Sequence, residues 1–132
     1  PLIANWPGTI PAGHVENDLI DSSDFLPTIM EAAGITAPDD YVMDGRTFLP
    51  QLKGEKGDSR DWMYFHFEPM SGRVYRFARY IRTHQYKLYD DGNLFDVNAD
   101  PEEQSAFEAS TDNDERAAVR AQLAPIFDQM VK

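Results

Sequence analysis

Apolar positions along the chain change period near its middle, and the change predicts two kinds of structure. Residues 2–6, Leu-Ile-Ala-Asn-Trp, read as a buried strand closed by a Pro7-Gly8 turn. Residues 24–34 read as a short helix. Asp24 stands where a helix cap belongs, and Pro27 falls at the third helical position, where no intrahelical N–H bond is lost. Gly34 supplies the left-handed stop, and Phe25, Ile29 and Ala33 share the apolar face with Leu26 and Met30 beside it. Residues 35–46 hold breakers and no period, which predicts a loop, and residues 48–52 allow one helical turn.

The polar, glycine-bearing stretch 53–58 marks an internal boundary, and beyond it the period becomes two. Residues 62–68 form an aromatic strand, residues 69–72 turn, and residues 74–82 return. Residues 86–89 and 94–97, joined by a tight turn at Asp90-Asp91-Gly92, complete a four-stranded antiparallel meander. From Asp112 the pattern is helical, with Val119, Leu123, Ile126, Phe127 and Met130 on one stripe. Pro125 lies inside that stripe and is expected to kink or split the helix near Ala121.

Composition narrows the classes. The 132 residues, 42% of them hydrophobic and 12% aromatic, are those of a folded globular chain. With 23 acidic against 12 basic residues the net charge is −11, which argues against nucleic acid as a partner, because phosphate binding needs clustered Lys and Arg. The absence of cysteine excludes disulfides, thiolate metal sites and a cysteine nucleophile within this stretch. No apolar run approaches the roughly 20 residues that span a bilayer, so no membrane partner is expected. The strand-like start at Pro1, without a leader or Met, reads as a cut through a larger protein.

Four segments carry a family resemblance. Pro1-Leu2-Ile3-Ala4-Asn5-Trp6-Pro7-Gly8 resembles the "P-L-I-x-x-W-P-G" strand of the sulfatases. Residues 24–34 resemble the "D-L-L-P-T-L-L-x-x-A-G" helix of that family, and residues 44–50 its "D-G-x-S-L-L-P". Arg82-Thr83-His84-Gln85-Tyr86-Lys87-Leu88 and then Leu94-Phe95-Asp96-Val97 through Asp100-Pro101-Glu102-Glu103 resemble "R-T-x-x-Y-K-L" and "L-Y-D-L-x-x-D-P-x-E" at its C-terminal end. The order matches over nearly the whole chain.

The resemblance implies an α/β fold (α+β locally) of the arylsulfatase-like, alkaline-phosphatase superfamily. Residues 1–54 would be the last segment of the large α/β domain. Residues 55–132 would be a C-terminal subdomain with a four-stranded antiparallel sheet packed on a helix. It also implies sulfate-ester hydrolysis by a formylglycine made in a "C/S-x-P-x-R" motif, assisted by calcium. No Cys or Ser here stands in that motif, so no catalytic or metal residue is expected in this fragment, which would be inactive alone. The implied partners are the N-terminal catalytic domain of the same chain and a sulfated small molecule or carbohydrate, in a periplasmic or secreted setting. Two alternatives are a phosphonate or phosphate ester hydrolase of the same superfamily, and a free-standing binding or interaction module.

Three residues are candidates for the substrate-pocket rim. His66 and Glu68 share one side of their strand by alternation, and Arg73 sits beyond the following turn. His84 reads as structural and His14 as an exposed loop residue. Asp96-Val97-Asn98-Ala99-Asp100 opens like a calcium loop, but Pro101 and Phe107 occupy the positions that need Gly and Glu, so turn chemistry is the better reading. Asp39-Asp40 and Asp90-Asp91 are turn residues on the same grounds. Arg82 and Lys87 are expected to meet carboxylates across an interface with the large domain.

Overall fold

A computed structural model describes residues 2–68 and 77–130. The chain groups into two compact units, Pro1–Arg60 and Asp61–Lys132. Residues 55–60 group with the first unit. The reason is local bonding: Leu19 and Arg60 form an isolated antiparallel bridge, and the Ser59 hydroxyl donates to Asp18.

In the first unit a 3-10 turn at Ser22–Asp24 runs directly into helix α1 (Phe25–Ala32). The cap is Asp21, not Asp24. Its Oδ1 accepts the Ser23 N–H at 2.9 Å, while Asp24 Oδ2 accepts the Asp21 N–H at 2.7 Å. Asp24 has helical backbone angles and makes no cap bond to α1, because the preceding turn moved the true start of the coil upstream. At the other end the prediction holds. Gly34 takes φ +67°, its N–H bonds Glu31 O at 3.0 Å, and the Ile35 N–H bonds Met30 O at 2.8 Å. Helix α2 (Leu49–Leu52) is the single expected turn.

Two apolar segments of the first unit are left uncovered, for one physical reason. Residues 2–6 pair with no strand among the described residues, and Ile3 is 88% exposed. The apolar face of α1 is also outward, with Ile29 63% exposed, while Pro27 and Thr28 are buried. Periodicity identifies a face that favours burial; it does not supply the surface that buries it.

In the second unit the strands β1 (Met63–Phe67), β2 (Ala78–Arg82), β3 (Tyr86–Tyr89) and β4 (Leu94–Asp96) form the expected antiparallel meander in order β1-β2-β3-β4. The part of the second predicted strand at residues 74–76 lies outside the described residues. Register explains the faces. Tyr64 pairs with Ile81, Ile81 with Leu88 and Leu88 with Leu94, so these four point one way. That face packs on helix α3 (Asp114–Met130): Ile81, Tyr86, Leu88, Leu94, Leu123 and Ile126 form one buried cluster.

Pro125 does not split α3, which is continuous from Asp114 to Met130. Pro125 and Ala121 both lie on its exposed side, where the carbonyl freed by the missing N–H can face solvent. Burial of Leu123 and Ile126 on either side of Pro125 holds the helix down. A forked contact also fixes its start. Arg120 pairs with Asp112 and donates to Gly92 O and, at 2.6 Å, to Phe107 O.

Candidate functional site

Three polar centres stand out in the two units, and only one of them was a sequence candidate. The first gathers around Asp24, which is 2% exposed. Its carboxylate accepts the Asp21 N–H at 2.7 Å, the Arg46 N–H at 2.9 Å and the guanidinium of Arg60. The backbone of Asp24 is engaged too: its carbonyl accepts the Thr28 hydroxyl at 2.7 Å, and that oxygen accepts the Phe48 N–H at 3.0 Å. One buried acid thus holds the 3-10 turn, the segment at 44–48 and the exit at Arg60 together. Gly45 permits the arrangement, because a Cβ there would lie 2.0 Å from the Ser23 carbonyl oxygen.

The second centre joins the two most family-like stretches of the sequence. Lys87 Nζ donates to Glu103 Oε1 at 2.6 Å and lies 4.0 Å from the Tyr80 ring centroid and 4.8 Å from that of Tyr89. The Tyr89 hydroxyl donates to Glu103 Oε2 at 2.6 Å. Burial alone would raise the Glu103 carboxyl, but the bonds from Lys87 and Tyr89 and the Lys87 charge outweigh it and hold the group below its ordinary value. Burial, then the Glu103 bond, pushes the Tyr89 phenol up, so both hydroxyl and ion pair keep their proton assignments at neutral pH. Glu103 reaches this position with φ +54°, a left-handed conformation costly for a non-glycine residue.

Lys87 therefore finds its carboxylate inside its own unit, not across an interface, because the acidic exit loop folds back over β3. Arg82 is exposed and forms no ion pair among the described residues. A related tie crosses to the helix: the Tyr86 hydroxyl donates to Glu115 at 2.7 Å. That bond, reinforced by burial, pushes the phenol up to about 12.

Glu103 carries a testable pH dependence. Its folded-state value is depressed, so its contribution is present above the unfolded value and lost as pH falls through the folded one. Asp96 is depressed likewise, chiefly by the Gln85 side-chain bond and then the Ala99 N–H, and loses its contribution in the same direction. Stability of the second unit should fall as pH drops from the ordinary carboxylate range through the depressed folded-state values. Glu103→Gln should flatten that limb and cost about 1–2 kcal/mol at neutral pH. Urea titrations across the range check this; an unchanged acid limb would remove Glu103 from the account.

The third centre is the sequence candidate. His66 Nε2 lies 3.6 Å from Glu68 Oε2, both side chains are exposed, and the His66 ring meets Phe77 edge-on at 5.5 Å. The structure brings His66 and Glu68 together as alternation requires. Arg73 lies outside the described residues.

The other polar candidates resolve into local roles. His14 is exposed and within 3.0 Å of the Gln51 carbonyl oxygen, and His84 is exposed. Asp96 accepts the N–H groups of Asn98 and Ala99, both at 3.0 Å, and Asp100 those of Gln104 and Ser105 at 3.0 and 2.8 Å. The calcium-like spacing is therefore turn chemistry. Among the described residues no three His, Cys, Asp or Glu groups gather where they could hold a metal ion, and no helix is long and apolar enough to cross a membrane.

The centres around Asp24 and Glu103 were missed because each depends on a partner remote in sequence. Asp24 reads as a cap until Arg60, 36 residues on, is seen to reach it. For Lys87 and Glu103 the signal was present: two motif stretches carry opposite charges 16 residues apart.

Comparison with known proteins agrees with this layout. The profile of the family described as N-sulphoglucosamine sulphohydrolase, C-terminal, matches residues 1–131. The chain is 35% identical over 100 residues to an ulvan-active sulfatase of Formosa agariphila, covering 74% of this chain and 20% of that protein. It is 32% identical over 114 residues to an N-acetylglucosamine-6-O-sulfatase of Bacteroides thetaiotaomicron, covering 78% of this chain and 20% of that protein. A solved structure of a protein in complex with its substrate, D-glucosamine-2-N,6-O-disulfate, superposes with a TM-score of 0.64 at 25% identity, over 80% of this chain and 23% of that one. The chain spans about a fifth of the length of the curated relatives it matches. With strand order, helix and the Lys87–Glu103 pair in place, the chain belongs to the sulfatases, in the family described as N-sulphoglucosamine sulphohydrolase, C-terminal.

Proposed function

We propose that these residues are the C-terminal portion of a sulfatase that hydrolyses the sulfate esters of a carbohydrate, with its reactive centre in polypeptide outside this sequence. The observation that carries the reading is the family match over residues 1–131, together with relatives of which the matched stretch is about a fifth, named an ulvan-active sulfatase and an N-acetylglucosamine-6-O-sulfatase. On this reading Pro1–Arg60 is the last segment of the large α/β domain, and the outward apolar face of α1 is its contact with that domain. Asp61–Lys132 is the bracing subdomain. The fragment alone is inactive, and the complete enzyme works in the periplasm or outside the cell.

Formylglycine and calcium, which sulfatase chemistry uses, do not fit the residues present. No Cys or Ser stands in a C/S-x-P-x-R motif, and no described cluster of carboxylates and imidazoles can hold an ion. The role left to this portion is support and shape. His66, Glu68 and Arg73 form part of the pocket rim. There the exposed His66–Glu68 pair offers a ring N–H for a sulfate oxygen and a carboxylate for a sugar hydroxyl.

The test uses the complete polypeptide that carries these residues. It is expected to release sulfate from sulfated monosaccharides and to leave the matching phosphate esters and phosphonates uncut. Release of phosphate alone would overturn the sulfatase reading. His66→Ala should lower kcat/KM for the sulfated sugar about tenfold, roughly 1.4 kcal/mol, mainly through KM. An unchanged KM would take His66 off the rim.

A further inference from the structure

The imidazole of His66 is held by rings, not by polar bonds. Glu68 Oε2 lies 3.6 Å from Nε2, beyond hydrogen-bond distance, and among the described residues no other group bonds either ring nitrogen. What surrounds the imidazole is an edge-to-face row leading out of the core. Phe127 of α3 meets Tyr64 at 6.3 Å and 73°, and Tyr64 meets His66 at 6.3 Å and 66°. His66 then meets Phe77 at 5.5 Å and 77°. Register builds the outer half of this row. His66 pairs with Arg79, so Phe77, two residues earlier, stands diagonally across from His66 on the same side of the sheet.

We infer that Phe77 is a positioning residue for the substrate rim, holding the His66 ring in one orientation before a sulfated sugar arrives. The inference rests on the reading of His66 as a rim residue. Phe77 is itself anchored. The Arg79 guanidinium carbon lies 4.9 Å from its ring centroid. Arg79 Nε donates to Asp90 Oδ2 at 2.8 Å, with its terminal nitrogen equally close, and the Arg79 carbonyl accepts the Asp90 N–H at 3.1 Å. Support thus runs from the turn between β3 and β4, through Arg79, to Phe77. The core has little use for this ring, which is 47% exposed and stands apart from the buried cluster. An imidazole at an exposed strand end has two free side-chain torsions, and freezing such a side chain on binding costs affinity. Packing that orders it beforehand removes the cost. Phe77 has no polar atom, so it steadies the imidazole while leaving both nitrogens open to a ligand.

The experiment is a double-mutant cycle in the complete polypeptide: Phe77→Ala, His66→Ala, and the two together, with Phe77→Tyr as the conservative variant. The probe is the sulfated monosaccharide that the unaltered polypeptide cleaves fastest. Phe77→Ala should raise KM about three- to fivefold and change kcat less than about twofold, and Phe77→Tyr should keep the unaltered KM. In the His66→Ala background Phe77→Ala should change KM by less than about 1.5-fold, because no imidazole remains to be held. A general loss of structure, or a direct contact of Phe77 with the sugar, would multiply KM equally in both backgrounds and overturn the inference. An unchanged KM for Phe77→Ala beside a raised one for His66→Ala would overturn it alone and leave the rim reading standing. An unchanged KM for His66→Ala would remove both, and no sulfate release from any sulfated monosaccharide would reject the functional reading beneath them. The half-exposed Phe77 can be truncated without opening a core cavity, and circular dichroism checks the fold of each variant. Phe77→Leu, which lacks the flat ring, replaces Phe77→Ala if that variant fails to fold.

Discussion

Arg60→Ala is expected to destabilise the first unit by about 3–5 kcal/mol, the range for breaking a buried ion pair from one side. Asp24 is almost fully enclosed, and the Arg60 side chain is itself only 12% exposed. Without the guanidinium, the Asp24 carboxylate keeps two backbone donors, from Asp21 and Arg46, but no countercharge. An exposed pair would contribute about 1 kcal/mol or less, so the size of the loss discriminates between the two situations. The effect should also be local to the segments Asp24 joins. Hydrogen exchange at the α1 and 44–48 amides should accelerate while β3 and β4 stay protected. Arg46→Ala is the comparison: its side chain pairs with the exposed Asp58 at 3.2 Å, and its backbone N–H, the group that bonds Asp24, survives the substitution. That change should cost no more than about 0.5 kcal/mol. Similar losses for the two arginines would show that Asp24 is solvated after all.

The contrast between the units explains how much of the molecule was legible. In the second unit, alternation and turn chemistry suffice, because the pattern and its partner lie in the same stretch. Phe65, Ile81 and Leu88 fall on the faces that period two assigns, and Gly92 at φ +89° makes the tight turn that Asp-Asp-Gly promises. The α3 stripe lands on the sheet for the same reason. In the first unit local signals were right and their consequences were not. Gly34 does stop α1, yet Phe25 and Ile29 are exposed, and the buried positions nearby include the polar Asp24, Thr28 and Gln51 beside Pro27, Phe48 and Leu49. Amphipathicity shows which side of a helix prefers to be covered; only the tertiary structure shows by what. The same limit applies to the polar centres. The turn bonds of Asp96 to the Ala99 N–H and of Asp100 to the Ser105 N–H lie within five residues and could be assigned from spacing. The Asp24–Arg60 pair spans 36 residues and could not.

Leu123→Ala should cost the second unit about 2–5 kcal/mol, whereas Met130→Ala on the same stripe should cost well under 1 kcal/mol. The sequence gives these two positions equal standing; burial separates them. Leu123 is fully enclosed among Ile81, Leu88, Leu94 and Ile126, so truncation there opens a cavity where strands and helix meet. Met130 lies in the last turn of α3 and remains half exposed, so its truncation removes little buried area. Trp62 packs against the same cluster and offers a local reporter. In a Trp6→Phe background it is the sole tryptophan of these residues, so its fluorescence in urea follows the second unit alone. Cavity formation predicts a lower urea midpoint with an unchanged slope for Leu123→Ala, since the surface exposed on unfolding is nearly the same. If Met130→Ala shifted the midpoint as far as Leu123→Ala, the helix would have to seat on the sheet through its C-terminal turn, and the assignment of the core to Leu123 and Ile126 would fall.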